Sequence, residues 1–153
     1  MASEQADVFR RFARAVFAAQ TALLKHGDRA NAPFGQSSAR WRVLLHISMG
    51  ETTVADIARS TGYSRQAVQR LADALAAEGS VSYIVDETDR RKQRIELTPR
   101  GRDTFGKLEA NFDMWAGRLL AGIPEADLIT VTEALARITA VVRADRRSMQ
   151  EES

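Results

Sequence analysis

Two clusters in this chain carry side chains suited to reading a nucleic acid. One is Ser64-Arg65-Gln66 with Gln69 and Arg70; the other is Arg90-Arg91-Lys92, led by Asp89. In a DNA major groove, arginine pairs bidentately with guanine and glutamine with adenine, at roughly 1–3 kcal/mol of discrimination per good pair. A serine at the start of a helix, with the helix's free N–H groups behind it, suits a phosphate. Clustered arginines and lysines carry many phosphate contacts on little surface. Each residue also has a plainer use as an ordinary solvated side chain, so the weight rests on the elements that would position them.

The stretch from Val54 to Leu71 has the spacing of a helix-turn-helix. Ala58 is small enough for a second helix to cross close by, and Gly62 falls where the turn needs a positive φ. Ile57 on the first helix faces Val68 and Leu71 on the second, and Ser64 is a good N-cap. The second helix, from Arg65 to Glu78, presents Arg65, Gln66, Gln69 and Arg70. Downstream, residues 86–101 read as a strand, a charged loop, a second strand and a helix start. Ile95 and Leu97 alternate with polar neighbours as in a half-buried strand. Thr98 can cap the next helix, and Pro99 suits its first position. A glycine-linked pair of core helices followed by a solvated charged turn is the plainer alternative. The joint spacing favours a winged helix-turn-helix, mainly α with a small β-hairpin wing.

Composition bounds this reading. The 153 residues are 44% hydrophobic, enough for one domain (1–153) with a real core. Net charge is only +2, but from Arg90 to Arg102 six basic residues face one acid, Glu96. A local field of that kind matters more for nucleic acid than the total. The absence of cysteine rules out disulfides and thiol redox sensing. His26 and His46 are the only histidines, and neither sits in a cluster of ligands, so no metal site and no cofactor are expected. No apolar run approaches a membrane span, and the first residues alternate charge with Phe and Ala unlike a signal peptide. The expectation is a cytoplasmic protein with no membrane partner.

Flanking the module are apolar stripes at three- and four-residue steps: Phe9, Phe12, Val16, Ala19 and Leu23 before it, then Phe105, Leu108, Phe112, Trp115 and Leu119 after it. Pro124, with Glu125 and Asp127 in the first turn, opens a last helix carrying Leu128, Val131, Leu135, Ile138 and Val142. Such helices could pack as an intrachain bundle. A homodimer interface is favoured, because two symmetric recognition helices demand a two-fold axis. The helical dimerisation region is then 6–26 and 99–146, with the winged module at 37–101. Lys25 to Gln36, with Gly27, Pro33 and Gly35, reads as a loop, and Met49 to Thr53 as a short turn.

From Ser37 to Gly101 the chain resembles the MarR family of winged helix-turn-helix transcription regulators. The likeness runs through Trp41-Arg42-Val43-Leu44-Leu45, Ile57-Ala58, Ser64 to Leu71, Leu75, Gly79, Asp89-Arg90-Arg91, Leu97-Thr98 and Gly101. It implies a dimer on a palindromic operator in double-stranded DNA. It also implies that Arg91 enters the minor groove, where a narrow groove concentrates negative potential. Asp89 would then hold the wing loop, while Arg90 and Lys92 meet phosphates. The chain departs from the pattern in three places: Ser80 where a large aliphatic is usual, Ser82-Tyr83-Ile84 at the wing base, and Arg40 in place of a common glutamine. They point to weaker packing at the first wing strand and fewer phosphate contacts.

The resemblance further implies a repressor released by a small aromatic ligand held between the dimer helices and the winged module. Phe12, Phe17, Phe34, Trp41 and His46 could line that cleft, although aromatics at helical spacing are more often core. An architectural or constitutive DNA-binding protein without an effector is the alternative. No nucleophile elbow, paired-ligand motif or phosphate loop supports an enzyme.

Overall fold

Helix α1 (Ala2–Asn31) runs for 30 residues. The computed structural model describes residues 2–85 and 93–151. The loop expected from Lys25 to Gln36 is therefore helical as far as Asn31, and only a 3₁₀ turn (Ala32–Phe34) and a few residues connect it onward. The reason is tertiary. Gly27 breaks no helix here; it makes room for Ser38, whose Oγ a Cβ at position 27 would strike. Ser38 donates its hydroxyl to the Leu24 carbonyl at 2.9 Å, and its N–H to Asp28 Oδ1 at 2.8 Å. Residues that read as loop-formers thus join two helices.

Local capping starts each following helix. In α2 (Ser38–Ser48) the Ser37 hydroxyl accepts from the Arg40 N–H. In α3 (Val54–Thr61) Thr53 accepts from the Asp56 N–H at 3.1 Å and donates to the Asp56 carboxylate at 2.6 Å. That second bond, with Arg59 adding a smaller effect, holds the Asp56 carboxyl below its usual range. Gly62 ends α3 at φ +77°, the left-handed conformation that the turn was expected to need. Ser64 then caps α4 (Arg65–Ala77), accepting from the Ala67 N–H at 3.1 Å.

Strands β1 (Val81–Val85) and β2 (Gln93–Leu97) pair antiparallel, from Val81 opposite Leu97 to Val85 opposite Gln93. This is the expected hairpin; its tip, residues 86–92, lies outside the described residues. The turn before α3 is attached to it, since Ile95 donates its N–H to the Thr52 carbonyl at 2.7 Å. Thr98 caps α5 (Pro99–Leu120) by accepting from the Gly101 N–H, and donates to the Gly79 carbonyl at 2.6 Å. Gly101 lies so close to the Ser80 carbonyl that a Cβ there would overlap it.

The chain divides into two compact units, Met1–Asn111 and Phe112–Ser153. In the first, the core is assembled from Val43, Leu44 and Ile47 of α2, Ile57 and Ala58 of α3, Val68, Ala72 and Leu75 of α4, Val81, Ile95 and Leu108. Every element of the helix-turn-helix and wing contributes an apolar residue, so hydrophobic burial fixes their arrangement. The second unit holds the end of α5 and α6 (Glu125–Glu151), opened by Pro124 as expected, with the Asp127 N–H bonded to the Pro124 carbonyl. Phe112 and Trp115 tilt against each other with ring centroids 5.5 Å apart. No described helix is long and apolar enough to cross a membrane.

Candidate nucleic-acid interface

Helix α4 is amphipathic in the sense a groove-reading helix requires. Val68, Ala72 and Leu75 are fully buried, while Arg65, Gln66, Arg70 and Asp73 are exposed on the other side and Gln69 is half-buried. The inner residues fix the helix's rotation, and so decide which side chains face outward. Ser64 is exposed at the N-terminus, beside the first free N–H groups of the helix.

The turn that presents α4 is pinned. The Arg42 guanidinium stacks 4.9 Å from the Tyr63 ring, donates to the Tyr63 hydroxyl at 3.1 Å and to the Thr61 carbonyl at 3.0 Å. Thr61 is buried, donates to the Ile57 carbonyl at 2.6 Å and accepts from the Tyr63 N–H.

The far end of α4 is pinned too, and two of the residues that do it, Arg40 and Ser80, looked like departures from the family pattern. Arg40 and Gln36 donate to the Glu78 carboxylate at 3.2 and 2.7 Å, and the Ser80 hydroxyl donates to it at 3.2 Å. Ser80 is itself buried, beneath the backbone of Gly101. The apolar packing that a large aliphatic would supply is replaced by a polar cluster in which Arg40 is a partner, so Arg40 and Ser80 belong to one arrangement.

Gln69, singled out as a base reader, is held by two residues that were not. Its Nε2 lies 2.8 Å from Asp73 Oδ1 and 2.8 Å from the Tyr83 hydroxyl, and that hydroxyl donates to the same Asp73 oxygen at 2.6 Å. The hydrogen bonds from Tyr83 and then Gln69 hold the Asp73 carboxyl below its usual range. Partial burial, followed by the bond to Asp73, pushes the Tyr83 phenol up to about 12. At neutral pH the carboxylate therefore accepts and the phenol donates. Recognition helix and first wing strand are thereby latched across their outer surface. A tyrosine in Ser82-Tyr83-Ile84 was visible in sequence, but its partners lie 14 and 10 residues away.

The wing residues Asp89, Arg90, Arg91 and Lys92 fall outside the described residues. At the described base of the hairpin, exposed Arg94 donates from Nε to Thr52 Oγ1 at 3.2 Å.

A family model described as the MarR family matches residues 34–92. Among solved structures, the transcriptional regulator PA3341 is 30% identical, superposes with a TM-score of 0.77, and is matched over 86% of this chain and 98% of that one. The chain belongs to the MarR family. It is a MarR-family DNA-binding transcriptional regulator. Two other solved structures share the fold. CouR from Rhodococcus jostii RHA1, bound to p-coumaroyl-CoA, is 24% identical with a TM-score of 0.73, covering 81% of this chain and 88% of its own. The M. tuberculosis regulator MOSR, in complex with DNA, is 24% identical with a TM-score of 0.73, covering 88% and 97%.

The aromatic residues considered for a MarR-type ligand cleft are spread over three elements. Phe12 and Phe17 are on α1, Phe34 is in the 3₁₀ turn, and Trp41 and His46 are on α2. Within each helix the pair is five residues apart, about 140° around the axis, so neither pair forms one stripe. Phe17 is 65% exposed, Phe12 tilts against Phe9, Trp41 donates from Nε1 to Glu109 at 2.9 Å, and His46 Nδ1 lies 3.1 Å from Glu51 Oε2. Among the described residues no group of three or more His, Cys, Asp or Glu could hold a metal ion.

Proposed function

We propose that this chain is a homodimeric, sequence-specific repressor that binds a palindromic operator and leaves it when a small aromatic ligand binds. The observation that carries the reading is the outward face of α4: Arg65, Gln66, Gln69 and Arg70 stand on a helix whose opposite face is locked into the core and whose two ends are pinned. Arg65, Gln66 and Gln69 read base edges, Ser64 binds a phosphate, and Arg70 contacts the groove wall. In the wing, Arg91 enters the minor groove, Arg90 and Lys92 meet phosphates, and Asp89 holds the loop.

The uncovered apolar faces support the dimer. Phe9, Phe17 and Leu23 are exposed on α1; in the second unit Leu119, Leu128, Val131 and Val142 are exposed. Residues 6–26 and 99–146 form the dimerisation region, and 37–101 the DNA-binding module. The action is binding rather than catalysis, in the cytoplasm where operators lie. The DNA in the MOSR structure and the p-coumaroyl-CoA in the CouR structure are the kinds of partner the proposal extends to this chain.

Fluorescence anisotropy on DNA from upstream of the chain's own gene, with a random duplex as control and several salt concentrations, tests this. Binding at least a thousandfold tighter than to the random duplex is expected, in line with specific recognition generally, and aromatic acyl-CoA thioesters should release it. Equal, steeply salt-dependent binding to both duplexes would instead support an architectural role.

A further inference from the structure

We propose that Asp73 and Tyr83 are positioning residues that set the orientation of the Gln69 amide, so that Gln69 reads DNA through its carbonyl oxygen. The inference rests on the proposal that α4 reads a major groove. A glutamine free to turn can offer either end of its amide: the carbonyl to an exocyclic amino group, or the NH₂ to a ring nitrogen or keto oxygen. Gln69 does not have that choice. The group facing Asp73 Oδ1 at 2.8 Å must be the NH₂, because an ionised carboxylate only accepts. The Tyr83 hydroxyl, 2.8 Å from the same nitrogen, has its own proton committed to Asp73 at 2.6 Å and so presents a lone pair to Gln69. Turning the amide over would set its carbonyl oxygen against a carboxylate and a lone pair. Two repulsive contacts would replace two hydrogen bonds.

The carbonyl oxygen Oε1 takes no hydrogen bond among the described residues, and it is the end of the amide turned away from the Asp73–Tyr83 pair. A groove-bound α4 would therefore offer an acceptor at position 69. In the major groove the donors that can meet it are the exocyclic amino groups of adenine and cytosine; guanine and thymine offer only acceptors there. Because Tyr83 belongs to β1, the base preference of the recognition helix is tied to the wing.

The test starts from a duplex selected by the full-length protein from a randomised pool. The amino groups of adenine and cytosine are then removed one at a time, using purine and 2-pyrimidinone nucleosides. The keto oxygens of guanine and thymine are removed in parallel, using 2-aminopurine and 5-methyl-2-pyrimidinone. Gln69→Ala identifies the dependent base pair and corrects for altered duplex stability. At that pair, amino removal should weaken wild-type binding by roughly tenfold, and keto removal by less than about twofold after the same correction. Asp73→Ala, checked for an unchanged fold by circular dichroism, should bring the two losses within about threefold of each other, since the Tyr83 hydroxyl can then donate as well as accept and the amide can turn. Asp73→Asn, which can donate as well as accept, should do the same and serves if the first variant unfolds; Tyr83→Phe, which leaves the carboxylate in place, should narrow the gap by less. Equal or larger losses on keto removal, no Gln69-dependent pair, or an unchanged preference in both Asp73 variants would overturn the inference. A protein that enriches no sequence from the pool would overturn the DNA-reading function itself, and the inference with it.

Discussion

The winged module and the second compact unit of this chain treat their apolar residues in opposite ways. In residues 1–111 the helix-turn-helix and the base of the wing close around a core in which Leu44, Ile57, Val68, Leu75 and Ile95 are wholly buried. In residues 112–153 the residues that follow a helical stripe in sequence, Leu119, Leu128, Val131 and Val142 among them, remain exposed. A repeat of apolar residues predicts that a face will be covered, but not by what. Where several short elements converge from different parts of the chain, they cover one another. Two long helices joined by a short turn have fewer surfaces to offer, and much of their apolar area stays exposed in the single chain; on the proposed reading a second copy covers it.

The largest expected effect comes from truncating one residue on each side of that contrast. Leu75→Ala should destabilise the folded chain by about 2–5 kcal/mol, equally at every protein concentration. Val131→Ala, at a position 54% exposed, should cost a monomer less than about 0.5 kcal/mol. Its effect should grow as a dimer forms, so urea midpoints taken at low and high protein concentration separate the two cases. A concentration-independent loss at Val131 would erase the contrast.

Close packing within the first unit can be probed at Gly101. A methyl group there has no space beneath the Ser80 carbonyl, and Gly101→Ala should cost about 1–3 kcal/mol, the usual penalty of overpacking. A thermal melt that matched wild type would mean that α5 is not seated on the start of β1 as described. Removing the cap of α4 is a milder change. Ser64→Ala should cost roughly 0.5–2 kcal/mol in chemical denaturation, and should also weaken DNA binding if the hydroxyl meets a phosphate.

The smallest effect concerns the latch between helix and wing. The Tyr83 phenol is raised to about 12. The folded state therefore holds that proton more tightly than an unfolded chain does, where tyrosine titrates near 10. The resulting stability is complete below about pH 10 and is lost as pH rises from about 10 towards 12. Ultraviolet titration should show one tyrosine ionising near the upper value, and Tyr83→Phe should remove that step. A wild-type titration finished by about pH 10.5 would argue against the latch.

Features set by neighbours in the chain were legible beforehand. Gly62 at the turn, the caps Ser64 and Thr98, Pro124 at the last helix and the hairpin itself depend on residue types and short spacings. The MarR resemblance located α4 for the same reason. Contacts between distant segments were not legible. Gly27 read as a helix breaker because nothing near it in sequence announces Ser38. Ser80 and Arg40 read as separate departures, although Glu78 joins them. The outward residues of α4 were identified individually, whereas the latch on Gln69 is made from β1 by a tyrosine that the sequence marked only as a departure at the wing base.

The central claim is that the exposed apolar faces are covered by a second copy, which brings two α4 helices to one operator. Sedimentation equilibrium of the protein with a selected duplex, and with the same duplex cut to one half-site, tests it most directly. Two chains per full duplex are expected, with a dimer persisting in the absence of DNA and clearly weaker binding to the half-site. One chain per duplex, with equal affinity for both lengths, would contradict it.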